Sequence, residues 1–301
     1  MAVFVKGSAD PVAAGSGPTS TSYVAIVLDI TGSMGPQIEG VKQAVRELIP
    51  LLTENPSLGI VIITFTEGGR DKRTGLPGCY ISVDVFADPT EADKFVGKIA
   101  LARPPGDPLV MASGDDGDEN AKAALYTLKT LDGTKPTVAF FITDAGYHRS
   151  KRDSPTAKAE EDFLLTRGGV SDTDFYVLFD SVLAHFDGNL VVVPIVYEFE
   201  RRAAHAKQAY GQVHSRCFNG CSHHGGGNRP QGFSEPKFSR NKLGWLQSAD
   251  PWVLQVRTYE SRSNTLSRIS RNLWNISQQC WCWKGWEKFD LLALNWSPPP
   301  T

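Results

Sequence analysis

Apolar and polar positions divide the first two hundred residues into alternating segments. Tyr23–Leu28, "LGIVIITF" (58–65), "TVAFFITDAG" (137–146) and "NLVVVPIVY" (189–197) are continuous apolar runs. Such runs predict strands buried on both faces, as in parallel sheets. "CYISVDVFA" (79–87) behaves differently, with Tyr80, Ser82, Asp84 and Phe86 alternating with Ile81, Val83 and Val85. That alternation predicts an edge strand and is compatible with antiparallel pairing. Pro194 makes a central place in the ladder less comfortable for the last run.

Helical spacing fills the gaps. In "PQIEGVKQAVRELIPLL", Ile38, Val41, Val45, Leu48 and Leu52 recur on one face, and Pro36 suits a first turn. A helix is predicted at about 90–101, and another carries Ala121, Ala124, Leu125, Leu128 and Leu131 on one face. "SDTDFYVLFDSVLAHF" opens on a capping-box pattern, Ser171 with Asp174, and continues as a stripe of Phe175, Leu178, Phe179, Val182 and Phe186. Strand and helix in alternation predict an α/β fold, a Rossmann-like, mostly parallel sheet with helices on both faces. Ligands of such sheets bind beyond the carboxyl ends of the strands, here the loops after Leu28 and Thr143.

Composition separates the chain into unlike parts. Residues 200–301 hold 14 Lys and Arg against 6 Asp and Glu, whereas residues 1–199 hold 17 against 27. All seven Trp lie between Trp245 and Trp296. The expected organisation is a mobile leader at 1–20, a domain at 21–211 and an irregular, basic, Trp-rich tail at 212–301, either unfolded or of aberrant coding origin. In the latter case the sheet would lack its final covering helix. No segment reads as a signal peptide, and no apolar run approaches the ~20 residues of a membrane span. A cytoplasmic location is the expectation.

The candidate chemistry lies where the first strand ends. In "VAIVLDITGSMG", Asp29, Thr31 and Ser33 place one carboxylate and two hydroxyls at alternate positions. Asp144 ends another strand, and the loop at 113–119 can supply Ser113, Asp115, Asp116, Asp118 or Glu119. An all-oxygen set suits Mg²⁺, Mn²⁺ or Ca²⁺ rather than zinc. Short hydroxyl and carboxylate side chains suit the Mg²⁺ octahedron, with oxygens at about 2.1 Å. The same residue types also serve ordinary turns and helix caps. The basic side chains of "HRSKR" (148–152) are expected in solvent, near enough to Asp144 to steer an acidic partner.

"DITGS" resembles the D-x-S/T-x-S element of the von Willebrand factor type A domain, and "FFITDAG" resembles that family's fourth-strand Asp. The resemblance covers roughly residues 20–200 and implies a metal-ion-dependent adhesion site. There Asp29, Thr31 and Ser33 would bind the ion directly or through water, and Asp144 through water. An Asp or Glu of a protein partner would complete the shell. Asp115 stands where the family commonly places Thr, with Ser113 as the alternative loop ligand. The "GD..E" loop with "LDxTGSM" is more similar to the intracellular branch of the family than to integrins, although no kinase-like segment is present.

A second class of function competes. "DITGS" also resembles the "DKTGT" loop of transport ATPases and the "DxDxT" loop of haloacid-dehalogenase-type phosphatases. Asp29 would then be a nucleophile and Asp144 a Mg²⁺ ligand. Against it, Thr31 stands where the acid/base carboxylate is needed and Ile30 where Lys is expected. A binding module rather than an enzyme is therefore the expectation. In the tail, Cys217, Cys221, His223, His224, Cys280 and Cys282 lack the usual zinc spacing. The clustered Trp could stack on single-stranded nucleic acid, but no fold motif supports that partner.

Overall fold

The computed structural model describes residues 20–198, apart from 36, 54–57, 69, 72–77, 104–109, 112–116, 150–153 and 167. It also describes strands at 5–6 and 254–257 and seven positions between 206 and 217. The strands are β1 (Val5–Lys6), β2 (Ser22–Asp29), β3 (Leu58–Gly68), β4 (Arg70–Asp71), β5 (Gly78–Phe86), β6 (Val110–Met111), β7 (Asp118–Glu119), β8 (Thr137–Thr143), β9 (Gly146–Tyr147), β10 (Leu190–Glu198) and β11 (Leu254–Arg257). The helices are α1 (Ile38–Thr53), α2 (Pro89–Lys98), α3 (Ala121–Tyr126), α4 (Pro155–Thr166) and α5 (Phe175–Phe186).

Among the described residues the main sheet has the order β1-β5-β3-β2-β8-β10-β11. All its pairings are parallel except β3 with β5. The alternating sequence of 79–87 thus forms the antiparallel strand, one short strand from the edge. β11 pairs with β10 only from Ile195 onward, so Pro194 lies outside that ladder.

Strand residues of opposite parity feed two cores. Val24, Ile26, Leu28, Ile60 and Ile62 pack with Ile38, Val41 and Val45 of α1 and with Ala92 and Val96 of α2. Ala25, Val27, Val61, Ile63 and Phe65 pack on the other face with α3, α4 and α5. Helices therefore cover both faces, as the pattern predicts. Ala206, Ala209, Tyr210, Val213 and Cys217 are helical and join this second core. Their spacing is that of one helix face. Of the tail expected at 212–301, all but 212, 213, 216, 217 and 254–257 lies outside the described residues.

The helix starts are built locally. Asp88 caps α2 by accepting from the Thr90 N–H at 2.8 Å, with Pro89 in the first turn. α5 is capped by Asp174 itself, which accepts from the Tyr176 and Val177 N–H groups. The expected pairing with Ser171 is absent, because Asp174 is the cap rather than its third-residue partner. α4 is a helix that the pattern does not announce. Its buried face is Thr156, Ala157, Ala159, Glu160, Phe163 and Leu164, of which only Phe163 and Leu164 are large and apolar.

Phe141 marks the centre of the second core, fully buried, stacked on Phe65 (5.6 Å between centroids) and tilted against Tyr210 (4.9 Å). Phe141→Ala is expected to cost about 3–5 kcal/mol, and Tm to fall by roughly 10 °C in a thermal melt.

Candidate metal centre

β2 and β8 are parallel neighbours, so their carboxyl ends lie side by side although 111 residues separate Ser33 from Asp144. β2 is also the strand from which the order runs both ways, to β3 on one side and β8 on the other. This is the switch point at which α/β sheets bind ligands. The loop after Asp29 is fixed from both sides: the Ile30 N–H donates to Phe65 O (2.9 Å), and Ile30 O accepts from Ala102 N–H (2.6 Å). Ile30 and Met34 are wholly buried in the α1 core. With those two side chains committed to apolar packing, the polar residues Asp29, Thr31 and Ser33 are left to face one another across a short 3-10 turn, Gly32–Met34.

Four of the expected residues meet. Asp29 Oδ1 accepts from the Thr31 N–H (2.8 Å) and from Thr31 Oγ1 (2.7 Å), and Asp29 Oδ2 accepts from Thr143 Oγ1 (2.7 Å). Ser33 Oγ donates to Asp144 Oδ1 at 3.0 Å and lies 3.1 Å from Thr31 Oγ1. Asp29, Thr31 and Asp144 are buried, and Ser33 is half-buried. Asp115, Asp116 and Ser113 lie outside the described residues.

The loop contributes an acid all the same. β7 and β9 form a parallel ladder, Asp118 opposite Gly146 and Glu119 opposite Tyr147, which holds Glu119 beside the segment that follows Asp144. Glu119 is only 2 % exposed, and its Oε2 has no hydrogen-bond partner among the described residues. Burial, then the charges of Asp29, Glu67 and Asp144, push its carboxyl well above the ordinary range, against a lowering hydrogen bond from the Thr31 side chain. Asp29 behaves alike. Burial first, and the Asp144 charge second, raise it to about 7 despite the hydrogen bonds from Thr31 and Thr143.

Glu119, a loop residue named as a possible ligand, is therefore buried rather than solvated. The expectation for "HRSKR" is corrected in part: Arg149 is exposed, but His148 is buried between Glu67 and Glu160. Positions 150–152 lie outside the described residues. Glu67, Lys122, Thr143 and Glu160 are the site's neighbours that the sequence pattern does not single out. Pairing of Glu119 with Tyr147 in the β7–β9 ladder is a tertiary fact with no local signal.

The chemistry of this donor set is one-sided. Thr31 and Ser33 each own one hydroxyl proton, and carboxylate oxygens surround them, so their facing oxygens present lone pairs to each other. Lone pairs outnumber protons in a dry enclosure. A hard cation fits such a set. Among the described residues no three His, Cys, Asp or Glu side chains converge enough to hold an ion alone. The hydroxyls of Thr31 and Ser33 are thus a necessary part of the donor set.

In the metal-free chain, Asp29 carries a stability consequence with a definite sign. Its folded pKa lies above the ordinary 3.8, so the folded state binds more protons than the unfolded one between about pH 4 and 7. Stability contributed by the protonated form is fully present below pH 4 and is lost as pH rises through about 7. Denaturant melts in the presence of a chelator are expected to show the chain weaker at pH 8 than at pH 5.5, with the difference reduced in Asp29→Asn.

No protein-family model matches the chain, and no curated protein matches it. Solved structures similar to it include the von Willebrand factor type A protein from Catenulispora acidiphila, at 14% identity and a TM-score of 0.37, covering 64% of this chain and 37% of that one. The SpRpn10 VWA domain is 10% identical with a TM-score of 0.37, covering 82% of this chain and 95% of that one. The vWF domain of the type V pili tip protein Mfa5 from Porphyromonas gingivalis is 7% identical with a TM-score of 0.43, covering 86% and 96%. The chain thus spans well under half of the Catenulispora chain. Likenesses this distant describe overall shape, and the functional argument stands on the side chains above. No described helix is long and apolar enough to cross a membrane.

Proposed function

We propose that the chain is a divalent-cation-dependent protein-binding module of the von Willebrand factor A type. Asp29, Thr31, Ser33 and Asp144 would hold Mg²⁺, or Mn²⁺ or Ca²⁺ in its place. When bound, the ion supplies a positive charge that an Asp or Glu of a protein partner can meet. The observation that carries this reading is the buried excess of acid at the carboxyl end of the sheet. Asp29, Glu67, Glu119, Asp144 and Glu160 are buried there against Lys122 and His148. Uncompensated buried carboxylates are costly, and a cation offsets that cost.

The chain's own residues divide the work. Thr31 and Thr143 orient Asp29 by donating to its two oxygens, so that its remaining lone pairs face inward. Ser33, half-buried, stands nearest to solvent and tethers Asp144 across the gap between the two strand ends. The phosphatase alternative is disfavoured by the same contacts. A nucleophilic Asp29 needs an open oxygen on a line of approach, whereas both oxygens accept hydrogen bonds and the side chain is wholly buried. A cytoplasmic setting is retained from the sequence reading.

Calorimetric titration of Mg²⁺ and Mn²⁺ into the full chain tests the proposal, beside Asp144→Ala. Saturable binding that is lost in the variant is the expected result. A folded wild type that takes up neither ion would end the proposal.

A further inference from the structure

Behind the candidate centre lies a second set of buried charges that the centre does not use. His148 follows β9 and is 2 % exposed; its Nε2 lies 2.7 Å from Glu67 Oε2, and its Nδ1 2.9 Å from Glu160 Oε2. Glu67 belongs to β3 and Glu160 to α4. Glu160 Oε1 in turn accepts the Ala123 N–H of α3 at 2.8 Å, and Lys122 Nζ stands 4.0 Å from Glu160 Oε2. Just before α3, Asn120 Nδ2 donates to Thr66 O at 2.9 Å, next to Glu67. The contacts therefore close a ring: β3 to the segment after β9, on to α4, to α3, through Asn120 and back to β3.

Two features set the ring apart from an ordinary buried ion pair. One is its place. Asn120 adjoins Glu119, Lys122 is three residues further on, and His148 is four residues from Asp144. The ring so ties the Glu119 segment to the Asp144 segment, a connection that the two-residue ladder of β7 and β9 also makes. The second is its charge. Carboxylate oxygens face both ring nitrogens of His148, and only an imidazolium offers a proton to each. The nitrogens of His148 and Lys122 face the oxygens of Glu67 and Glu160, so the ring pairs its own groups and leaves the carboxylates of the centre to the ion. Apolar residues of similar volume would serve bare stability at least as well as buried charges do.

We infer that this ring, with His148 as its central member, is a positioning device that sets the affinity and the ion selectivity of the cation centre by holding the Glu119 and Asp144 segments in register before the ion arrives. The inference rests on the proposed reading of that centre. Small octahedral ions demand tighter geometry than Ca²⁺, which accepts larger and more flexible shells. Loosening the ring must then penalise Mg²⁺ more than Ca²⁺. His148 and its partners touch no ion and act through the backbone of the segments that they pin.

The test is calorimetric titration of Mg²⁺ and Ca²⁺ separately into the full chain, as wild type, His148→Gln and Phe179→Leu. Phe179 is buried in α5, in the second core and outside the ring, and its substitution controls for general loss of stability. His148→Gln is expected to weaken Mg²⁺ at least tenfold and to shift the Mg²⁺-to-Ca²⁺ affinity ratio toward Ca²⁺, while Phe179→Leu changes neither. A folded His148→Gln chain with the wild-type ratio and affinities overturns the inference and leaves the centre standing. A wild type that binds neither ion removes the centre and the ring's role with it. Should His148→Gln fail to fold, Lys122→Met keeps the His148 and Ala123 contacts of Glu160, and the same shift in ratio decides: present, it supports the ring; absent, it overturns it.

Discussion

Asp29→Asn is expected to make the metal-free chain more resistant to heat and, at the same time, blind to Mg²⁺. The two effects have one origin. In the wild type, the Asp29 carboxylate is buried beside Asp144 and Glu119, and the fold strains against that charge. Asparagine is nearly isosteric and keeps an oxygen for the Thr31 N–H and hydroxyl. Its amide replaces the oxygen that faces Thr143, whose hydroxyl can turn to Ala145 O, 3.4 Å away. The hydrogen bonds are thus conserved while the charge is removed. A ligand that binds only the folded state stabilises it by about 2.7 kcal/mol at a hundred times its Kd, so Mg²⁺ should raise the Tm of the wild type in a dose-dependent way. In Asp29→Asn the metal-free Tm should lie above that of the wild type at pH 8, and added Mg²⁺ should leave it unmoved. A dose-dependent rise in the variant would mean that Asp29 is not a ligand. Alanine at the same position is less informative, because it strands the three groups that now donate to the carboxylate.

This pair of effects depends on what the sequence does and does not disclose. The apolar runs expose the strands because each is buried on both faces, and the two helices of 38–53 and 175–186 are visible because their stripes are strongly apolar. Asp29 and Asp144 are legible together since each ends such a run, and parallel neighbours bring run ends together. The paired segments 118–119 and 146–147 carry no such signal. They are two residues each, and what holds them is a ladder between distant parts of the chain. His148 reads as solvent-facing and Glu160 carries no signal, because isolated charged residues are almost always exposed. Here each is buried since others of opposite or shared function are buried beside it, a circumstance visible only in three dimensions. α4 was hidden for the same reason: placing Glu160 on its inner face breaks the apolar stripe that would have announced it.

The last expectation separates the two kinds of ion pair in this protein by magnitude. Glu160→Ala is expected to destabilise the chain by about 3–5 kcal/mol, since removing one member of a buried charge cluster leaves its partners unpaired without water. His148 would lose one of its two carboxylates, Lys122 its nearest anion, and the Ala123 N–H its acceptor. Glu39→Ala removes an ion pair of similar length, 3.0 Å to Lys42, but the Glu39 side chain is 72% exposed. Exposed pairs of this kind contribute about 0–1 kcal/mol, so that variant should melt within a few degrees of the wild type. Denaturant unfolding of the three chains, with the slope held common, measures the contrast directly. If the two substitutions cost the same, water reaches Glu160 in the folded chain and the ring around His148 is not the dry structure that its contacts describe. If Glu160→Ala unfolds the chain outright, Glu160→Gln supplies the comparison: it keeps the Ala123 acceptor and loses only charge, and the cost that remains is the part owed to His148 and Lys122.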